Sequence, residues 1–331
     1  MKIFYLINCL NKNGLGHITR GLLLANSLKK QKIYVQFLLI NGTISSKKIL
    51  KEHNIISINS NNQKTIAKEI NYTSNKKNIR HLIIDHYSLK DTFFKTLDSK
   101  IKKISICDGN IKPNNYDMIF DQSLKFKKSK KIFSAVKFLI LKKKPFTLRK
   151  KYSLNFSNKL KISLFFGAYL SNFKLTNIIN SINIIRKPDD KFYFYLISNN
   201  TKDNLHSNIL KKDKIFMNLN SNKFLNEVSK SDLGVGEGGN AAIERYIIGL
   251  PSLNFLTNDN QKKILNLPLN KKMFFINKNK YKNTIRFYQK EFNDFFSKFR
   301  KKNLSLKANI KIKFDSNGSM RIAQIIKKLY I

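Results

Sequence analysis

A chain of 331 residues is long for one domain, and at 42% hydrophobic residues it can build a core in each of two. No apolar run approaches the ~20 residues that span a bilayer, which argues against stable membrane insertion. The formal charge of +44 is nearly all lysine, scattered over unrelated segments such as Lys127-Lys128, Lys211-Lys212 and Lys301-Lys302, so it reads as a solvated surface and not as a nucleic-acid groove.

In chain order, Lys2–Cys9 reads as a buried strand, since Met1–Leu10 is short, contains Asn8 and lacks the small-residue cleavage site of a signal peptide. A glycine-containing loop and an amphipathic helix over Thr19–Lys30 follow, then strands at Tyr34–Ile40, Leu82–Ile84, Ile101–Ile106 and Met118–Phe120. The polar stretch Lys142–Lys159 has no clear period and reads as a linker. The pattern restarts with a strand at Lys161–Phe166, a helix at Leu175–Ile185 and a strand at Phe192–Ile197. A helix at Lys223–Lys230, a strand at Leu233–Val235, a helix at Ala241–Ile248 and a strand at Pro251–Leu256 come next, with a last helix at Arg321–Tyr330. This alternation predicts parallel sheets covered on both faces, and the expected domains are 1–150 and 151–331. Cys9 and Cys107 supply neither a disulfide framework nor a metal-ligand spacing. The expectation is a reduced, cytoplasmic protein without a metal or cofactor.

Three motifs carry chemistry. The loop Asn11–Arg20 contains Gly14, Gly16, His17 and Arg20 between the first strand and the first helix, at the sheet edge where open α/β sheets bind ligands. It has neither the third glycine of the dinucleotide fingerprint nor the Lys-Ser/Thr pair of a P-loop, and histidine is the side-chain type most used to move protons near neutral pH. The second motif is Asp85-His86-Tyr87, at the end of a buried strand on the same edge, where a carboxylate could orient an imidazole or bind sugar hydroxyls. A strand-end aspartate satisfying turn amides fits Asp85 equally well; Cys107-Asp108 ends the next strand in the same manner. The third is Gly236-Glu237-Gly238-Gly239-Asn240 running into a helix that carries Glu244, an arrangement able to hold a diphosphate on backbone N–H groups.

Taken together, GLGHITRGLLLA (Gly14–Ala25), LIIDHYSL (Leu82–Leu89), GEGGNAAIERYIIGLPSL (Gly236–Leu253), the pair Asn260-Gln261 and DSNGSMRIA (Asp315–Ala323) occur in an order that resembles the UDP-2,4-diacetamido-2,4,6-trideoxy-β-L-altropyranose hydrolases of pseudaminic acid biosynthesis. That family is similar to the MurG-type glycosyltransferases. The resemblance implies an α/β protein of GT-B architecture, two facing Rossmann-like domains with a cleft between them. It also implies hydrolysis of a UDP-sugar, with inversion at the anomeric carbon and no metal. His17 and Asp85 would be catalytic. Gly14, Gly16, Arg20, His86, Tyr87 and Gly167 would bind substrate, with Gly238, Gly239 and Asn240 at the phosphates, Glu244 at the ribose, and Asn260 and Gln261 nearby. The chain departs from the family at Cys107, where relatives have a second acidic residue, at Asn114-Asn115, and in the loop Phe166–Asn172. Two other readings are a glycosyltransferase of the same architecture and a non-catalytic nucleotide-sugar or nucleic-acid binding protein. A nucleic-acid binder has no use for a histidine and a diphosphate loop on sheet edges.

Overall fold

The computed structural model describes residues 1–8, 16–86, 88–109, 111–149, 153–154, 159–167, 170–196, 209–257, 261–262, 267, 269, 273–277, 282–300, 306–307 and 315–330. Its first unit holds Met1–Lys142, Leu265–Leu267 and Lys313–Ile331, and its second holds Lys143–Ile264 and Pro268–Ile312.

The first unit is built on β1 (Lys2–Asn8), α1 (Gly16–Lys30), β2 (Tyr34–Ile40), α2 (Ile44–Ile49), β3 (Ile55–Ile58), α3 (Gln63–Lys77), β4 (His81–Asp85), α4 (Asp91–Thr96), β5 (Lys102–Cys107), β6 (Met118–Asp121) and β7 (Ile132–Phe133). The strands form one parallel sheet in the order β3-β2-β1-β4-β5-β6-β7. Strand β1 explains the two covered faces. Its residues alternate in direction, and Ile3, Tyr5 and Ile7 join a core with Leu24 and Leu28 of α1, while Phe4 and Leu6 join one with Ile66 and Ile70 of α3. Order reverses between β1 and β4, the kind of switch point beyond whose strand ends open α/β sheets bind ligands. Asp85 shares the face of Ile83 and therefore looks toward α1.

The second unit repeats the plan. Its elements are α5 (Lys144–Thr147), β8 (Ser153–Leu154), β9 (Lys161–Phe165), α6 (Asn172–Ile185), β10 (Lys191–Leu196), β11 (Lys214–Met217), α7 (Ser221–Ser229), β12 (Leu233–Glu237), α8 (Asn240–Ile248), β13 (Ser252–Phe255), β14 (Phe274–Ile276), α9 (Ile285–Arg300) and β15 (Leu306–Lys307). The parallel sheet runs β11-β10-β9-β12-β13-β14, with order reversing between β9 and β12; β8 and β15 pair separately. Helix α9 lays Tyr288, Phe292, Phe295, Phe296 and Phe299 on one stripe against Ile162, Leu164 and Val235 of the sheet.

The expected domain limits need two corrections. The stretch expected as a linker contains α5, a helix of the second unit that packs on α8. The last helix, α10 (Gly318–Tyr330), returns to the first unit. There Ile322, Ala323 and Ile326 join the α1 core and Ser27 Oγ donates to Ser319 Oγ at 2.9 Å, because an apolar stripe must be buried wherever a complementary face exists. Among the described residues, no helix is long and apolar enough to cross a membrane.

Candidate functional site

At the β1/β4 edge the buried carboxylate of Asp85 is the hub. His17, in the first turn of α1, approaches its Oδ1 through Nδ1 at 2.5 Å, and Arg20, one helical turn on, takes both oxygens with Nη2 at 2.5 Å and Nε at 2.9 Å. Tyr5, the neighbour on β1, donates its hydroxyl to Oδ2 at 3.3 Å. The remaining arm of Arg20 donates to Asp108 at the end of β5, at 3.0 Å. Relative exposures of 3% for His17, 5% for Arg20 and 0% for Asp85 place the network out of bulk water, where such bonds are strong if all are satisfied.

The chemistry follows from these contacts. A carboxylate only accepts, so the His17 proton sits on Nδ1 and the basic lone pair is on Nε2. Burial would lift the Asp85 pKa, but the Arg20 and His17 charges outweigh it and hold the carboxyl below its usual value. With His17 neutral, Arg20 contributes one positive charge against two carboxylates, Asp85 and Asp108. The cluster becomes neutral when His17 takes a proton.

The other candidates of this edge are placed as follows. Gly16 opens α1, and Gly14 and Tyr87 lie outside the described residues. His86 is buried and receives the Ser88 N–H at Nδ1, 3.1 Å away; burial, followed by the His17 charge, pushes its pKa down to about 4. It is therefore a neutral turn former beside the network. Arg20 braces Asp85 and Asp108. Spacing alone could have signalled this, since i and i+3 share a helix face.

The β9/β12 edge of the second unit carries the glycine turn. Glu237 ends β12 and shares the face of Leu233 and Val235, toward α6. There Lys174 of α6 donates to Oε1 at 2.6 Å and Gln261 donates to Oε2 at 3.1 Å. Gly167, which turns the chain after β9 at φ +86°, lies so close that a Cβ would sit 3.1 Å from Glu237 Oε2. Asn260 lies outside the described residues. Of the turn itself, the Gly238 N–H donates to the Phe255 carbonyl at 2.8 Å, so it is spent on the sheet and not available to a phosphate. Gly239 caps α8 without a side chain of its own to bond the first amides; among the described residues no acidic residue stands in the first turn, and nothing lies within 4 Å of where a Gly239 Cβ would point. Helix N-termini of this kind attract anions. Asn240 opens α8, and Glu244 is buried on it. Glu237, Lys174 and Arg245 were not singled out from the sequence. The signal for Glu237 was its place at a strand end across the sheet's reversal point, the same place as Asp85.

No family model and no curated protein matches this sequence. Solved structures do match across the chain. The UDP-GlcNAc 2-epimerase of Methanocaldococcus jannaschii, in complex with UDP-GlcNAc and UDP, is 14% identical with a TM-score of 0.61, over 99% of this chain and 100% of that one. MurG of Acinetobacter baumannii is 11% identical with a TM-score of 0.62, again over 99% and 100%. The spinosyn rhamnosyltransferase SpnG complexed with thymidine diphosphate is 11% identical with a TM-score of 0.63, over 100% of both chains. With a parallel Rossmann-like sheet in each of its two domains and these neighbours, the chain has the GT-B fold.

Proposed function

We propose that this protein hydrolyses a UDP-sugar, UDP-2,4-diacetamido-2,4,6-trideoxy-β-L-altropyranose, to UDP and the free 2,4-diacetamido sugar. The observation that carries the reading is the imidazole of His17 held by buried Asp85 at 2.5 Å. This is a positioned base at a sheet edge, in a chain that also has an uncapped helix N-terminus behind a glycine turn. Neighbours of the same fold whose names include UDP or UDP-GlcNAc support the nucleotide class, and the ordered motifs Gly14–Ala25, Leu82–Leu89, Gly236–Leu253 and Asp315–Ala323 support the sugar.

In this mechanism His17 Nε2 takes a proton from water as the water oxygen attacks the anomeric carbon. The bond from that carbon to the diphosphate oxygen breaks, UDP leaves with the bonding pair, and the carbon inverts. Asp85 stabilises the imidazolium and Arg20 keeps Asp85 ionised and aimed. Gly16, His86 and Tyr87 form the sugar side with Gly14. The Gly239-Asn240 turn and the dipole of α8 stabilise the departing diphosphate without a metal. Glu244 holds the ribose, while Gln261 and Asn260 complete the phosphate side.

The test is acceptor-free turnover: purified protein and the UDP-altropyranose, with UDP and sugar followed by chromatography. Stoichiometric UDP and free sugar are expected. UDP formation only on adding an acceptor would replace hydrolysis by transfer, and recovery of an isomerised UDP-sugar would replace it by epimerisation.

A further inference from the structure

The second unit holds a buried cation that the proposed chemistry does not use. Arg245 sits on α8, is 2% exposed, and lies flat against β12. Gly234 makes the space, since a Cβ there would come within 2.6 Å of the Arg245 Cδ; a Cβ on Gly236 would sit 1.9 Å from the Phe165 carbonyl oxygen and 3.1 Å from Arg245 Nη1. The alternation of β12 turns these two positions toward α8 while Leu233 and Val235 face the aromatic core. Arg245 Nη2 donates to the carbonyl of Glu237 at 3.1 Å and to Asn254 Oδ1 at 2.6 Å. Among the described residues its Nε and Nη1 have no hydrogen-bond partner and no carboxylate forms an ion pair with it. Burial pulls its pKa down to about 10, against the attraction of Glu244 and Glu237. The group is still charged at neutral pH.

A buried, incompletely bonded charge costs stability, and native proteins satisfy nearly all such groups. What is unusual is the place. The guanidinium bonds the last strand carbonyl before the turn Gly238-Gly239, under the uncapped N-terminus of a nine-residue helix whose first turn has no acidic residue. Within the low dielectric of the helix–sheet layer its field reaches the turn little screened.

We infer that Arg245 is a built-in counter-charge for the diphosphate site, acting from beneath the glycine turn on an anion that it does not touch. The inference rests on the diphosphate role of that turn. Arg245 is a positioning residue: it adds positive potential where the helix dipole already points, and it fixes the Glu237 carbonyl from which the turn departs.

The experiment compares UDP, uridine and inorganic pyrophosphate by calorimetry on the full chain and on Arg245→Met and Arg245→Gln, with circular dichroism to confirm folding. Both variants are expected to bind UDP and pyrophosphate about tenfold more weakly and uridine unchanged, as loss of a nearby charge requires. Gln keeps a donor for the Glu237 carbonyl but no charge, so a Gln variant binding UDP like the parent would overturn the electrostatic role. Equal weakening of UDP and uridine would overturn it as well, by showing a structural defect. A parent that binds pyrophosphate but not UDP would remove the proposed nucleotide while leaving this inference standing, whereas a parent that binds neither would remove both.

Discussion

The two sheet edges follow one plan and end in different chemistry. In each unit the strand beyond the reversal of order ends in a carboxylate, Asp85 on β4 and Glu237 on β12, and in each a basic residue from the helix after the first strand reaches it, Arg20 or Lys174. The first edge adds a histidine, a tyrosine and a second aspartate, and every polar atom of Asp85 is taken up out of water. The second edge keeps its pair partly exposed, at 13% for Lys174 and 19% for Glu237, beside a glycine turn with open space at Gly239. A closed network fixes the direction of one proton; a more exposed pair beside a glycine turn leaves the strand end accessible, and the proposed function puts the diphosphate there. One scaffold yields both, and what separates them is how many partners the strand-end carboxylate has.

The largest effect should come from the first edge. His17→Ala is expected to lower kcat about 10⁴-fold, as for loss of a general base, while UDP affinity from calorimetry stays within about twofold because no phosphate contact is touched. Near-normal kcat would assign the base elsewhere. Next is Asp85→Asn, expected to cost about a hundredfold in kcat and about 3 kcal/mol in stability by leaving Arg20 underpaired. Its pH dependence has a definite sign. The Asp85 carboxyl is depressed in the fold, so its contribution is complete above the unfolded-state value of about 3.9 and disappears as pH falls through the lower folded value. The Tm gap between parent and variant should therefore narrow between pH 5 and pH 2, and a gap that widens would mean Asp85 is protonated in the fold. The smallest effect should come from the second edge. Gly239→Ala fills open space at an ordinary φ of −119°, so stability should change by less than about 1 kcal/mol while UDP affinity falls about fivefold by blocking anion approach to the amides. Unchanged UDP affinity would move the phosphate off this turn.

Much of this was legible in the sequence for local reasons. Strands Tyr34–Ile40 and Lys161–Phe165 are apolar runs between polar turns, and period alone finds them. Helix α3 was missed because only Ile66, Ala67, Ile70 and Ser74 are buried along fifteen residues, a stripe too thin to stand out among asparagines and lysines. Helix α9 was missed for the opposite reason: its phenylalanines keep helical spacing, but aromatic residues also favour strands. The return of α10 to the first unit depends on a long-range match to α1, which no local pattern encodes. At the sites, His17 and Asp85 stood out as polar residues ending apolar runs. The partnership of Arg20 with two carboxylates, and the fit of Arg245 over Gly234 and Gly236, needed the third dimension, because there a side chain on one element answers the absence of one on another.

The most direct test of the central claim is turnover of the UDP-altropyranose in H₂¹⁸O with mass spectrometry of both products. Attack by water at the anomeric carbon, with His17 as base, puts one ¹⁸O into the sugar and none into UDP. Label in UDP would mean cleavage at phosphorus, and the roles assigned to the two sheet edges would be wrong.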